Sequence, residues 1–169
     1  MKAEVLRQIP EAENFLRQCE RLTFKQRQTI VKQGDPSDSI YLILEGSVAV
    51  IIDGDDDDAH QEMVVSYLNP GDFFGEMGLF GEEFRTANLV ARAPVEVARI
   101  SYDRFHQVRG NYPEILFVLA TQIGHRLRTT TRKLTDLAFV DVAGRIAQTL
   151  NDLTKQPDAM THPEGMQIR

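Results

Sequence analysis

NPGDFFGEMGLFGEEFRTANLVARA, residues 69–93, is the stretch on which the reading of this chain turns. It opens with the turn formers Asn69-Pro70-Gly71-Asp72 and closes on ANLVARA, a run of strand character. Between them, Gly75 and Gly78 permit tight backbone geometry, and GEMGLF suits a short helical turn whose free N–H groups face an anion. Arg85 follows within a loop's reach and leads into the apolar run, so an inward-pointing guanidinium there needs an anionic partner. Glu76 is placed to accept hydrogen bonds from sugar hydroxyls. Read from these residues alone, a phosphate site and a plain hairpin turn with solvated Arg85 and Glu76 stand equally open.

Upstream, the β-rich runs TIVKQ (29–33), IYLILEG (40–46), SVAVIID (47–53) and MVVSYL (63–68) are separated by turn formers such as Gly34-Asp35-Pro36. Downstream, ANLVARA and VEVARISY (95–102) bracket Pro94, and their closeness points to neighbouring strands. Many short strands at this spacing predict a small antiparallel jelly-roll β-barrel, a closure that removes bare sheet edges. Leu6, Ile9, Phe15 and Leu16, dispersed among charged residues, predict one or two short amphipathic helices over 5–19 that cover a sheet. The expected class is α+β, mainly β.

The 169 residues suffice for one domain plus a fragment of another, with 42% hydrophobic and 26% charged residues in the balance of a folded globular chain. No apolar run approaches the roughly 18 residues that a membrane span needs, and the charged N-terminus lacks a signal-peptide core. A cytoplasmic protein without membrane contact is expected. Cys19 is the single cysteine, which excludes an intrachain disulfide or a cysteine-based zinc site. The net charge of −6 argues against nucleic-acid binding by this stretch, because phosphate contacts need clustered Lys and Arg.

After Pro113 the β signal stops, and a long helix is predicted over 113–138. At 1.5 Å per residue it reaches on the order of 40 Å, more than one small barrel can cover. Leu116, Ala120, Ile123, Leu127, Thr130, Leu134 and Leu137 alternate steps of four and three, the seam of a coiled coil, and predict a homodimer. A helix packed only on its own barrel would favour a wider stripe of period 3.6. A second helix is expected over 142–153 behind Asp141 as N-cap; QPDAMTHPEG (156–165) reads as a loop and 166–169 as the start of a strand. Residues 1–138 thus read as one domain, and 139–169 as a hinge with the first part of a second.

The motif Gly75, Glu76, Gly78, Leu79, then Arg85, Thr86, Ala87, resembles the phosphate-binding cassette of cyclic-nucleotide-binding domains. YLILEGSVAV, VSYLNPGDFFGEMGLF, TTTRKLTDLAFVDVAGRIAQTL and TKQPDAMTHPEGMQIR extend the likeness from about residue 28 to the end and narrow it to the cyclic AMP receptor protein family of bacterial transcription regulators. That resemblance implies that Arg85 pairs with the cyclic phosphate of cAMP, that Thr86 and the turn around Gly75 and Met77 donate to it, and that Glu76 holds the ribose 2′-hydroxyl. It also places Ser66, Ala87, Arg126, Thr130 and Thr131 at the ligand, Thr131 reaching the base held by the other subunit, which accounts for the polar break in the seam at Thr130. It implies a winged helix-turn-helix after MQIR, whose recognition helix is absent from this chain, so that DNA and RNA polymerase are partners of the full-length protein only. Ala159, Thr161, His162 and Gly165 resemble the loop that touches RNA polymerase. Glu20 and Leu22 depart from a second polymerase surface near the N-terminus.

Two departures bear on the ligand. The loop from Phe80 to Arg85 is one residue shorter than in the best-known members, and Thr86 stands where close relatives have Ser, a replacement also found in domains that prefer cGMP. Members that read cyclic di-GMP tend to lose the Arg-Ser/Thr pair, which is kept here, and cAMP is the expected effector. The run DGDDDDAH (53–60) lacks the alternating spacing of a calcium loop. His60, His106, His125 and His162 include no His-x-His pair of a cupin metal centre, and no nucleophile–base pair is visible. No metal and no enzymatic activity are expected. The alternative to a transcription regulator is a regulatory nucleotide-binding module of a channel, kinase or transporter.

Overall fold

In IYLIL every residue is apolar, so the strand must be covered on both faces. The computed structural model, which describes residues 12–54, 62–139, 149–151, 160–162 and 165–167, shows how. Strand β3 (Ser39–Glu45) is buried from Ser39 to Leu44. It lies inside a four-stranded antiparallel sheet of order β1-β8-β3-β6, with β1 (Glu20–Phe24), β6 (Phe73–Phe74) and β8 (Val95–Ser101). A second four-stranded sheet has the order β2-β7-β4-β5, with β2 (Thr29–Val31), β4 (Val48–Asp53), β5 (Glu62–Leu68) and β7 (Asn88–Ala91).

Two hydrophobic clusters follow the period-two alternation of the first sheet. Tyr41, Ile43, Phe74, Val95 and Val97 face Val31, Val48, Leu68, Leu89 and Ala91 of the second sheet. Ile40, Leu42, Phe73, Ala98 and Ile100 face a helical layer that supplies Phe15, Phe105, Val108, Ile115, Val118 and Leu119. Those side chains come from α1 (Ala12–Leu16), α2 (Tyr102–Val108) and α3 (Pro113–Phe139). The first sheet is therefore the middle of three layers, which is why β3 carries no polar side.

Three expectations need correction. The strands do not close into a barrel: they form two separate four-stranded sheets packed face to face. ANLVARA and VEVARISY are not neighbours, since β7 pairs with β2 and β4 in one sheet and β8 with β1 and β3 in the other. The chain changes sheets at Pro94, which has no N–H to continue a ladder, and again at Gly46 between β3 and β4. The two corners touch. Gly46 has φ +84, and a Cβ there would meet the Pro94 carbonyl and come within 2.9 Å of Val95 Cα, so only glycine lets the backbones approach. Third, QPDAMTHPEG is not wholly loop, because β9 (Met160–His162) lies within it and pairs antiparallel with β10 (Gly165–Gln167).

Sequence reading also missed β1, β6 and α2. β6 has only two residues, too few for any alternation to show. α2 starts where the side chain of Ser101 accepts from the Arg104 N–H, an N-cap hidden at the end of a strand pattern. Pro113 opens α3 at the helix position where a missing N–H costs nothing.

The chain divides into two units, Met1–Gln122 and Ile123–Arg169. In the first, the side chain of Gln122 donates to the Gly71 carbonyl at 2.8 Å and accepts from the Phe73 N–H at 2.9 Å, pinning α3 in its third turn to the turn before β6. In the second, Leu127 and Leu134, two helical turns apart on α3, are 66% and 62% exposed. Residues 149–151 are helical; the rest of the helix expected over 142–153 and the aspartate run 55–58 lie outside the described residues.

Candidate functional site

The segment after β6 is held by its glycines and by one buried arginine. Gly75 has φ +75, and a Cβ on it would lie 2.6 Å from Nη1 of Arg85 and 2.8 Å from the Ser39 carbonyl, so the position demands glycine on two counts. A 3-10 turn then runs over Glu76–Phe80. In it Glu76 is buried and Met77 exposed.

Arg85 is 7% exposed, and a buried guanidinium must have its donors met. Nη1 donates to the Ser39 carbonyl at 2.8 Å, to the Tyr102 hydroxyl at 3.3 Å and to the Gly75 carbonyl at 3.5 Å. Nη2 donates to Oδ1 of Asp38 at 3.1 Å. The guanidinium also lies 5.6 Å from the centroid of the Tyr41 ring, which stacks on Phe74 at 4.8 Å. Burial pushes the Tyr41 hydroxyl above its ordinary pKa, with Arg99 and Arg85 opposing the shift, so the ring stays neutral under the cation. The arrangement presents one buried arginine beside a glycine turn, each held by the other's backbone or side-chain atoms. Such a cation beside a turn has the chemistry to meet an anion.

Of the residues singled out by sequence, the structure brings Gly75 and Arg85 into contact, with Glu76 next in the chain. Thr86 is exposed, while Ala87 is buried between the sheets. Ser66 lies on β5 in the second sheet, opposite Val50. Arg126, Thr130 and Thr131 lie on α3 in the second unit, Arg126 half-buried and the two threonines exposed. Leu116 and Ala120 are exposed and Ile123 half-buried; Leu137 is outside the residues whose side chains are described. Thr161 and His162 lie on β9 and Gly165 on β10, and Ala159 is outside the described residues.

Asp38, Ser39, Tyr41 and Tyr102 were missed. A conventional reading assigns Tyr41 and Tyr102 to strands and core, and nothing local marks Asp38. Phe117, 76% exposed one residue beyond Leu116, falls outside the four-and-three spacing and was not singled out by sequence.

The family model of the cyclic nucleotide-binding domain matches residues 21–112. The chain is 48% identical over 161 residues to the cAMP-activated global transcriptional regulator CRP of Salmonella typhimurium, covering 95% of this chain and 75% of that protein. This chain belongs to the cyclic AMP receptor protein family. Within that family it is also 46% identical over 165 residues to the cAMP-activated global transcriptional regulator Vfr of Pseudomonas aeruginosa, covering 95% and 76% of the two. Among solved structures, the c-di-GMP-responsive global regulator CLP of Xanthomonas campestris superposes with a TM-score of 0.85 at 40% identity, covering 93% of this chain and 77% of that one. The family's members thus include proteins responsive to different cyclic nucleotides, and the local chemistry of the cassette has to decide between them.

Proposed function

We propose that this chain is the cyclic-nucleotide-sensing and dimerising part of a DNA-binding transcription regulator, with cAMP as its effector. The observation that carries the reading is Arg85, buried and aimed by fixed acceptors beside the Gly75 turn. A cyclic phosphate is a single anion with exposed oxygens, and a pre-oriented guanidinium with backbone N–H groups nearby recognises that chemistry. Thr86 and the turn at Gly75 and Met77 add donors, and Glu76 accepts from the ribose 2′-hydroxyl. Ser66, Ala87, Arg126, Thr130 and Thr131 complete the ligand set.

The exposed apolar residues Leu116, Leu127 and Leu134 support a homodimer through α3, with Phe117 as an additional contact. Residues 1–138 would then sense and dimerise, while 139–169 lead into the DNA-binding domain. The segment carrying Ala159, Thr161, His162 and Gly165 would meet RNA polymerase in the full-length protein. The protein acts in the cytoplasm and is not an enzyme.

Titration calorimetry with cAMP, cGMP and cyclic di-GMP tests the reading. Tightest binding of cAMP, abolished in Arg85→Leu with the fold retained by circular dichroism, is expected. Undiminished binding by Arg85→Leu overturns the cassette assignment, and a preference for cyclic di-GMP overturns the effector.

A further inference from the structure

Asp38 stands between two arginines. Its Oδ1 accepts from Nη2 of Arg85 at 3.1 Å, and its Oδ2 accepts from Nη2 of Arg99 at 2.9 Å. Arg99, on β8, also donates from Nε to Ser39 Oγ at 3.0 Å, and its Nη1 lies 3.5 Å from Oε2 of Glu20. The groups form a chain of alternating sign, Arg85, Asp38, Arg99, Glu20. It begins at a side chain only 5% exposed and runs outward through Asp38, 62% exposed, to Glu20, 60% exposed.

The placement has an electrostatic consequence. A phosphate bound at Arg85 must share that guanidinium with the carboxylate already on Nη2, and two anions on one cation repel each other. Arg99 acts in the opposite sense. It holds the far oxygen of Asp38, offsets its charge, and is itself anchored by Ser39, whose backbone carbonyl anchors Arg85. Neither Asp38 nor Arg99 needs to touch the ligand for this to operate.

We propose that Asp38 is an internal counter-ion that sets the affinity for the nucleotide's phosphate by competing for Arg85, and that Arg99 limits the competition by holding the other carboxylate oxygen. The inference rests on the cyclic-nucleotide reading of the cassette. It makes the two residues act with opposite sign although both belong to one ion chain, which a purely structural role for the chain would not do.

Calorimetric titration of the whole chain with cAMP decides it. Asp38→Asn keeps the shape and removes the charge, and should bind cAMP tighter by about three- to tenfold, an advantage that shrinks as salt is raised. Arg99→Gln should bind more weakly by a similar factor, about three- to tenfold. In the Asp38→Asn background, Arg99→Gln should lose most of its effect, because the carboxylate it restrains is gone. Weaker or unchanged binding by Asp38→Asn, or an undiminished effect of Arg99→Gln in that background, overturns the proposal. Should Asp38→Asn fail to fold, Asp38→Ser carries the same expected sign. Failure of the unsubstituted chain to bind cAMP, or undiminished binding by Arg85→Leu, overturns the cassette reading; Arg85-dependent binding that Asp38→Asn leaves unmoved overturns the counter-ion alone.

Discussion

The hydroxyl of Tyr102 donates to the carbonyl of Gly75 at 2.6 Å, tying the first residue of α2 to the turn that opens the cassette. The same oxygen lies 3.3 Å from Nη1 of Arg85 and 2.8 Å from Oγ of Ser37. A phenol has one hydrogen, spent on Gly75, so it accepts from both Arg85 and Ser37. One atom thereby fixes the turn and the cation together. Tyr102→Phe is expected to lower stability by about 1–2 kcal/mol, the cost of leaving partly buried partners unmet. It should also weaken cAMP binding severalfold, because the arginine loses a constraint on its direction. Urea denaturation and calorimetric titration check the two halves, and unaltered affinity beside lost stability would reduce the hydroxyl to a structural role.

Gly46 and Gly34 offer a matched pair, since both have φ +84 but only Gly46 has a backbone pressed against its missing Cβ. Gly34→Ala is expected to cost on the order of 1 kcal/mol, the backbone strain alone. Gly46→Ala should cost on the order of 3 kcal/mol or more, because the corner at Pro94 must open and the two sheets shift. Equal losses in chemical denaturation would mean that the corner relaxes freely.

Cys19 is pushed up to a pKa of about 12 by burial, from an ordinary value of 9.0. At pH 8 the thiol of the folded chain should react with a disulfide reagent far more slowly than that of the urea-unfolded chain, because the thiolate is the nucleophile. The linkage has a definite sign. The unfolded thiol loses its proton first, so the folded state binds more protons between about pH 9 and 12, and this group's contribution to stability falls as pH rises through that range. Equal labelling rates for folded and unfolded chains would contradict the burial.

On the proposed reading, Leu127 serves dimerisation and Thr130 serves sensing. Leu127→Arg, replacing a side chain 66% exposed in one protomer, should yield monomers by sedimentation equilibrium if that face is the seam. Thr130→Leu continues the apolar seam and should keep the dimer, while the base loses a hydrogen bond worth about 1 kcal/mol. cAMP should then bind more weakly and be discriminated less from cGMP. A monomeric Thr130→Leu, or one with unaltered selectivity, would sink this division of roles.

Local pattern was enough for six of the eight strands in the two large sheets, because each lies in an apolar or β-branched run bounded by turn formers. It was enough for α3 too, which runs Pro113–Phe139 against an expected 113–138. β1 and the two-residue β6 escaped it, and so did the side on which β7 and β8 lie. A corner and a hairpin both read as two apolar runs around a breaker. Only the pairing partners, distant in sequence, tell them apart.

The cassette itself is written in contiguous residues. Gly75, Glu76 and Arg85 sit within one turn and one loop, so residue type and spacing already specify a glycine-dependent backbone with a cation beside it. What surrounds Arg85 is another matter. Asp38, Ser39 and Tyr102 lie 47, 46 and 17 residues from it, and no local signal marks them. They meet because β3 and β8 pair antiparallel, with Ser39 opposite Ser101, which sets the strand start carrying Asp38 against the strand end leading into Tyr102. The sequence by itself determined the chemistry on offer, through residue types whose properties are local. The tertiary structure alone decided which polar groups face the buried cation, because hydrogen bonds and ion pairs depend on distance in space, and strand pairing sets that distance.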